Sequence, residues 1–462
     1  MKLTTSQILS ALPSCNRSGN PAEQQYRAVA TDTRSDCRGA LFVALRGESF
    51  DANAFLEQAA AAGAVGALIE ASAHDHAMPE GLQYFEVDDT LAALQQLAVS
   101  SRERIGDIRV VAVTGSNGKS TTKEMIASVV SSRWRTHATH GNFNNHIGVP
   151  LTLLAMPEDT EVLIAELGAN HPGEIRELAR MVKPEISVIT NVAAAHLEGF
   201  GSVEGVLAAK TELFEETTPG GTCIYCGDNS LLSDDVPARF CNTVSFGLKT
   251  GSDIHASALK LSSEGAPSLT IGGGVRIALS TPGRHNALNA LAATAVGRAL
   301  GLDDETIRQG LEAVQPMKMR GQLKKIGSFT ILDDSYNANP LSMAEALKTL
   351  MALEHKGLRV AVLGQMLELG ETAPELHGQL ATRAAQAGVD MAVMVGEHAE
   401  IMKEAWVDGG GEESRAFAAE NADSAWAILQ AQLQGGELLL VKGSRGIRLE
   451  RVIEKLAARE EA

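Results

Sequence analysis

The chain has 462 residues and a formal net charge of −17. That length is too great for one compact core, and a prior of roughly 150 residues per domain gives about three domains. The acidic balance argues against a general nucleic-acid binder, which needs basic surface to neutralise phosphates, but leaves room for a locally positive pocket.

The first residues, Met1-Lys2-Leu3-Thr4-Thr5, lack the apolar core of a signal peptide. No apolar run approaches the roughly 20 residues needed to span a bilayer. A cytoplasmic protein without membrane insertion is therefore expected. A helix is expected after Asp89, where Leu91, Leu94, Leu97 and Ala98 share one face. It closes a first block near residue 105.

Apolar runs of strand length follow at Val110–Val113, Val162–Ala165, Ile186–Ile189, Val360–Leu363, Ala392–Val395 and Leu438–Val441. Near-continuous apolar strands are buried on both faces, as in parallel sheets. Helical patterns between them imply βαβ units. The second block runs from the first of these strands to about Val314, and the third begins near Gln315-Pro316. Its first helix has Asn339 as N-cap, Pro340 at N1 and Gly357 just past its end. The five cysteines are irregularly spaced, and the lone Cys223-Ile-Tyr-Cys226 reads as small residues in a buried strand.

The chemistry starts at Thr114-Gly-Ser-Asn-Gly-Lys-Ser120. A strand runs into a glycine loop, and Lys119-Ser120 opens a helix. Unpaired N–H groups at a helix start, together with its dipole, attract phosphate. Gly115 and Gly118 can take backbone angles that other residues avoid. Lys119 can reach the β and γ phosphates of ATP, and the Ser120 hydroxyl can join a Mg²⁺ shell. The usual loop is GxxxxGK followed by Ser or Thr; its first glycine falls here at Val113, so the loop is a variant.

That variant resembles the ATP loop of the Mur ligases, which build the peptide of bacterial peptidoglycan. Further segments are similar to the family in the same order. They are Gly141-Asn-Phe-Asn-Asn-His-Ile-Gly-Val-Pro150, Glu166-Leu-Gly-Ala-Asn-His-Pro-Gly-Glu174 and Ala195-His-Leu-Glu-Gly-Phe-Gly201, with Lys210 downstream. Gly283-Arg-His-Asn-Ala-Leu-Asn289, Asp333-Asp-Ser-Tyr-Asn-Ala-Asn-Pro340 and Lys442-Gly-Ser-Arg445 complete the set. The segments at 195–201 and 333–340 resemble the member that adds D-alanyl-D-alanine to UDP-N-acetylmuramoyl-tripeptide. The sister that adds the third residue carries DNPR, which is absent here. Leu363-Gly-Gln-Met-Leu-Glu-Leu-Gly370 occupies that region, with Gln365 where relatives carry Asp.

The resemblance implies an α/β chain of three domains: a UDP-sugar domain over residues 1–105, a central ATP domain over 106–314 and a C-terminal domain over 315–462. The central domain is expected as a P-loop ATPase-like, mostly parallel sheet, and the C-terminal domain as Rossmann-like. The implied reaction is ATP-dependent amide synthesis by a monomer. The family places ATP on Thr114, Gly115, Ser116, Asn117, Gly118, Lys119 and Ser120. It adds Asn286 and Asn289 near the adenine, Arg320 on the phosphates, and Asp334, Tyr336 and Asn337 from the C-terminal domain. Mg²⁺ is implied on Ser120, Glu166 and His196. Lys210 is implied to be carbamylated and so able to bind a second ion. Lys119, Lys210 and His196 are the implied catalytic residues. The UDP-sugar and peptide substrates are implied at Thr33, Arg34, Gly47, Phe50, Asn145, Lys442, Ser444 and Arg445.

The residues by themselves also admit a nucleotide-binding switch that performs no ligation. Within the ligases, the sister enzyme and a folate polyglutamylating ligase are the alternatives. The acceptor, a dipeptide or a single amino acid, separates these.

Overall fold

A computed structural model describes residues 3–47 and 50–461. The apolar runs become three α/β layers in chain order, and the central one carries the phosphate loop. Its seven strands lie in the order Thr136–Ala138, Val162–Glu166, Arg109–Thr114, Ile186–Ile189, Thr222–Cys226, Thr243–Gly247 and Ile254–His255. Every neighbouring pair is parallel. Val110 to Val113 and Val162 to Ala165 are buried, because helices cover both faces of such a sheet.

The strand Arg109–Thr114 lies between Val162–Glu166 and Ile186–Ile189. The chain therefore winds outward in both directions from it. A crevice opens where that order reverses, outside the carboxyl ends of the strands. The fourth strand stops at Ile189, as its apolar run does. Thr190 and Asn191 turn away to brace the phosphate loop. Thr190 Oγ1 donates to the Asn117 carbonyl at 2.6 Å, and Asn191 Oδ1 accepts the Asn117 N–H at 3.0 Å.

The N-terminal sheet has the order Asn16–Gly19, Gln83–Glu86, Gly66–Ile69, Ala40–Val43 and Ala28–Ala30. Only its first pair is antiparallel. The helix expected after Asp89 is Thr90–Ile105. Asp89 caps it by accepting the Leu91 and Ala92 N–H groups at 2.8 and 3.0 Å. Leu94, Leu97 and Ala98 are buried, and Leu91 is half-buried.

The C-terminal sheet runs Gln322–Ile326, Phe329–Asp333, Leu438–Lys442, Arg359–Gly364, Met391–Val395 and Ala416–Ala419. An antiparallel hairpin opens it, and the other pairs are parallel. Asn339 caps the helix Pro340–Ala352, with Pro340 at N1. Gly357 is not the stop of this helix, which ends at Ala352 with Leu353 extended. Glycine is needed at 357 for a different reason: an added Cβ would lie 2.1 Å from the Gly436 carbonyl oxygen.

A small antiparallel sheet, Ala258–Leu261, Pro267–Thr270 and Arg276–Ala278, lies outside the helix–strand alternation. Cys223 and Cys226 are buried in the strand Thr222–Cys226, and all five cysteines are free. Among the described residues no helix is long and apolar enough to cross a membrane.

Candidate active site

The phosphate loop sits at the carboxyl end of the strand Arg109–Thr114. Gly115 has φ 144° and Gly118 has φ 79°. A Cβ on Gly115 would lie 2.0 Å from Thr190 Oγ1, and one on Gly118 would lie 2.5 Å from Asn289 Oδ1. Both glycines are therefore set by conformation and by space. The helix Lys119–Ser131 begins with no side-chain cap, which leaves its first N–H groups free for an anion. Lys119 Nζ donates to the Gly115 carbonyl at 2.8 Å, so the side chain folds back across the loop.

Lys119 lies within range of both the buried Glu166 carboxylate and the Arg320 guanidinium, and Lys210 lies within range of Lys119. Burial pushes the Lys119 ammonium below the usual lysine range, while the Glu166 charge raises it and Arg320 lowers it further. Lys210 is 2% exposed on the helix Val203–Glu215, which Ser202 caps. Burial, with the Lys119 charge adding to it, pushes the Lys210 ammonium down to about 7. The acidic chain thus holds a positive pocket that suits a polyphosphate.

Glu166 is 1% exposed at the end of its strand. Its Oε1 accepts from Asn144 Nδ2 at 2.8 Å, while its Oε2 is buried without a hydrogen-bond partner. A buried, unpartnered carboxylate oxygen is costly, and a cation beside it removes that cost. No cluster of three His, Cys, Asp or Glu side chains able to hold a metal occurs among the described residues. Mg²⁺ needs none, because one carboxylate, a hydroxyl, phosphate oxygens and water complete its octahedron. Glu166 with the buried Ser120 fits that mode.

His196 begins the short helix Leu197–Phe200 with φ 53°. Its Nδ1 is hydrogen-bonded to the carboxylate of Glu368, which comes from the C-terminal domain. The Glu198 N–H donates to the Glu368 carbonyl at 3.2 Å across the same boundary.

Arg320 lies over the Tyr336 ring, 3.9 Å from its centroid. The Tyr336 N–H donates to the Met319 carbonyl at 3.1 Å, which fixes the connection into the C-terminal domain. Asp334 pairs with Lys442 at 2.6 Å, and Lys442 Nζ also donates to the Asn337 carbonyl at 2.8 Å. Asn339 Nδ2 donates to Asn117 Oδ1 at 2.8 Å and so joins this segment to the phosphate loop. Asn286 and Asn289 do not cap their helix. Asn289 accepts from Thr122 Oγ1 at 3.2 Å and donates to Asn286 Oδ1 at 2.9 Å, behind the loop.

The remaining predicted residues have other surroundings. Lys442 and Ser444 are buried with partners inside their own domain; Ser444 Oγ accepts the Leu367 N–H at 2.9 Å. Arg445 pairs with Glu450 at 2.8 Å at the surface. Gln365 Oε1 accepts the Glu397 N–H at 3.2 Å; an Asp there would set two carboxylates close together. Arg34 is held by Asp32 at 2.6 Å and is exposed, and Thr33 beside it is half-buried. Gly47 and Phe50 pair across two short antiparallel strands, and residues 48 and 49 lie outside the described residues. Phe50 is exposed and stacks on Phe55. Asn145 lines a cleft of about 250 Å³ with Asp89, Leu91, Gln95 and Glu174, between the helix Thr90–Ile105 and the central domain.

Sequence reasoning missed Asn191, Thr190 and Glu368. The polar pair directly after an apolar strand signals the first two. Glu368 lies in the segment 363–370, but its pairing with His196 left no signal, because that partner is 172 residues away.

The Mur ligase middle domain pattern matches residues 113–297, and the pattern described as Mur ligase, glutamate ligase domain matches residues 319–445. UDP-N-acetylmuramoyl-tripeptide–D-alanyl-D-alanine ligase of Bacillus subtilis is 38% identical, with 95% of each chain covered. MurF from Acinetobacter baumannii superposes with a TM-score of 0.87 at 31% identity, covering 99% of each chain. MurF ligase from Thermotoga maritima, solved in complex with ADP, gives 0.80 at 27% identity, covering 94% of this chain and 98% of that one. With two family patterns matched and a relative 38% identical over 95% of both chains, the chain belongs to the Mur ligase family.

Proposed function

We propose that this chain is an ATP-dependent ligase that joins D-alanyl-D-alanine to UDP-N-acetylmuramoyl-tripeptide, the last step of the peptidoglycan pentapeptide precursor. The observation that carries it is near-complete coverage by relatives bearing that name, together with a positive phosphate pocket at the sheet's switch point.

Amide formation from a carboxylate and an amine is uphill in water. ATP overcomes this when a carboxylate oxygen of the tripeptide attacks the γ phosphorus and ADP leaves. The dipeptide amine then attacks the acyl carbon, the bond to phosphate breaks, and phosphate departs as the amine loses its proton. The loop N–H groups and Lys119 hold the β and γ phosphates, and Arg320 adds charge from the domain boundary. Asn339, bonded to Asn117, couples the C-terminal domain to the loop, so closure assembles the site.

Mg²⁺, when bound, neutralises charge on the transferring phosphoryl group, and Ser120, Glu166 and His196 are the residues that would hold it. Lys210 takes up CO₂ as a neutral amine, releasing a proton and becoming an anionic carbamate. Its burial and lowered ammonium support that reading. The Thr33, Arg34, Gly47 and Phe50 surface takes the UDP moiety, and the C-terminal domain, through Lys442, Ser444 and Arg445, takes the dipeptide. Domain limits fall near residues 105 and 315. The protein works as a cytoplasmic monomer in cell-wall synthesis and, through it, in cell shape and division. The test is ADP and phosphate release that requires both peptide substrates; turnover indifferent to either one removes the proposal.

A further inference from the structure

The contact between His196 and Glu368 joins residues 172 positions apart, one in the central domain and one in the C-terminal domain. Both partners hold left-handed backbone, φ 53° and 63°. Non-glycine residues persist there only when the surroundings hold them, and such strain gathers at working sites. The Glu368 loop is held from both sides. Ser444 accepts the Leu367 N–H, and the Glu368 carbonyl accepts the Glu198 N–H.

A histidine ring has two nitrogens, and the partner of one decides what the other can do. Here the carboxylate faces Nδ1. A carboxylate accepts and does not donate, so the proton belongs on Nδ1. Nε2 then keeps its lone pair.

We propose that Glu368 is a positioning residue for His196: it fixes the ring in the Nδ1–H tautomer and leaves the Nε2 lone pair free for the ATP site. Since Glu368 belongs to the C-terminal domain, His196 is set only when that domain closes on the central sheet. Catalytic competence is thereby tied to closure, and ATP in an open enzyme meets an unset histidine. The inference rests on the ligase reading above.

The test is ring ¹⁵N spectroscopy of the full chain labelled at histidine, at pH 8.5, with ADP and UDP-N-acetylmuramoyl-tripeptide saturating. The signal that disappears in His196→Gln identifies His196 among the 12 histidines. The parent is expected as Nδ1–H. Glu368→Ala should move the ring to the Nε2–H form, while Glu368→Gln, whose carbonyl still accepts, should keep Nδ1–H. Glu368→Lys, which cannot accept, replaces alanine if the latter disturbs the fold. Glu368→Ala should lower kcat about tenfold or more, as loss of a carboxylate behind a functional histidine does. Glu368→Gln should lose far less, and in a His196→Ala background Glu368→Ala should cost nothing more. An Nε2–H ring in the parent, one tautomer in parent and Glu368→Ala, or multiplicative losses in the double variant would each overturn the proposal. A parent inert toward D-alanyl-D-alanine would remove the ligase reading and leave the tautomer result standing. An Nε2–H ring in an active parent would remove this inference alone.

Discussion

Lys210→Met separates stability from activity at a single buried atom. Lys210 is 2% exposed, and its ammonium is pushed from 10.5 down to about 7 by burial and by Lys119. Between about pH 7 and 10.5 the unfolded chain binds more protons at this position than the folded one. Stability therefore rises with pH across that window, and the penalty is fully present below about 7. The depressed value corresponds to about 4 kcal/mol at pH 7 and about 3 kcal/mol at pH 8.5. Methionine keeps the stem and removes the charge. Lys210→Met should be more stable than the parent at pH 7 by a few kcal/mol, and the gain should shrink toward pH 8.5, while ligation is lost. Urea unfolding in bicarbonate-free buffer reads the first effect, and phosphate release reads the second. A variant less stable than the parent at pH 7, or a gain that does not change with pH, would refute the reasoning.

Bicarbonate should raise the activity of the parent and narrow its stability gap to Lys210→Met; mass spectrometry under gentle conditions showing only bare lysine, with no bicarbonate effect, contradicts the carbamate. Lys119→Ala should cut kcat by about 10²–10³ with circular dichroism unchanged, because its ammonium meets charge that develops in transfer; turnover near the parent level would exclude that role. Gly115→Ala, at φ 144° and with its Cβ 2.0 Å from Thr190 Oγ1, should lower stability and abolish ADP binding. The cost is about 2–4 kcal/mol from strain and crowding, read as a lower unfolding midpoint, and an unchanged midpoint speaks against it.

Much of this was legible in the chain because the signals are local. Apolar runs located three of the seven central strands and three of the six C-terminal strands to within a residue or so, since burial on both faces demands unbroken apolar sequence. The helix starts at Asp89 and Asn339 were readable because each residue serves its own helix. The loop at 114–120 was readable because its glycines, lysine and serine are contiguous. Gly357 misled because glycine stops helices and also permits close backbone approach, and here the second reason holds. Lys442 and Ser444 belong to a family segment, and their hydrogen bonds to Asn337 and Leu367 could not be read from it because those partners lie far away in the chain. The Glu368–His196 contact and the Asn117–Asn339 bond join residues far apart in the chain and leave no periodicity behind.

Acceptor specificity tests the central claim most directly. Purified full-length protein, ATP, Mg²⁺ and UDP-N-acetylmuramoyl-tripeptide are supplied with either D-alanyl-D-alanine or a single amino acid, and the nucleotide-linked product is weighed. The account predicts a pentapeptide product and phosphate release only with the dipeptide. Extension by a single amino acid, or phosphate release with no new amide, would contradict it.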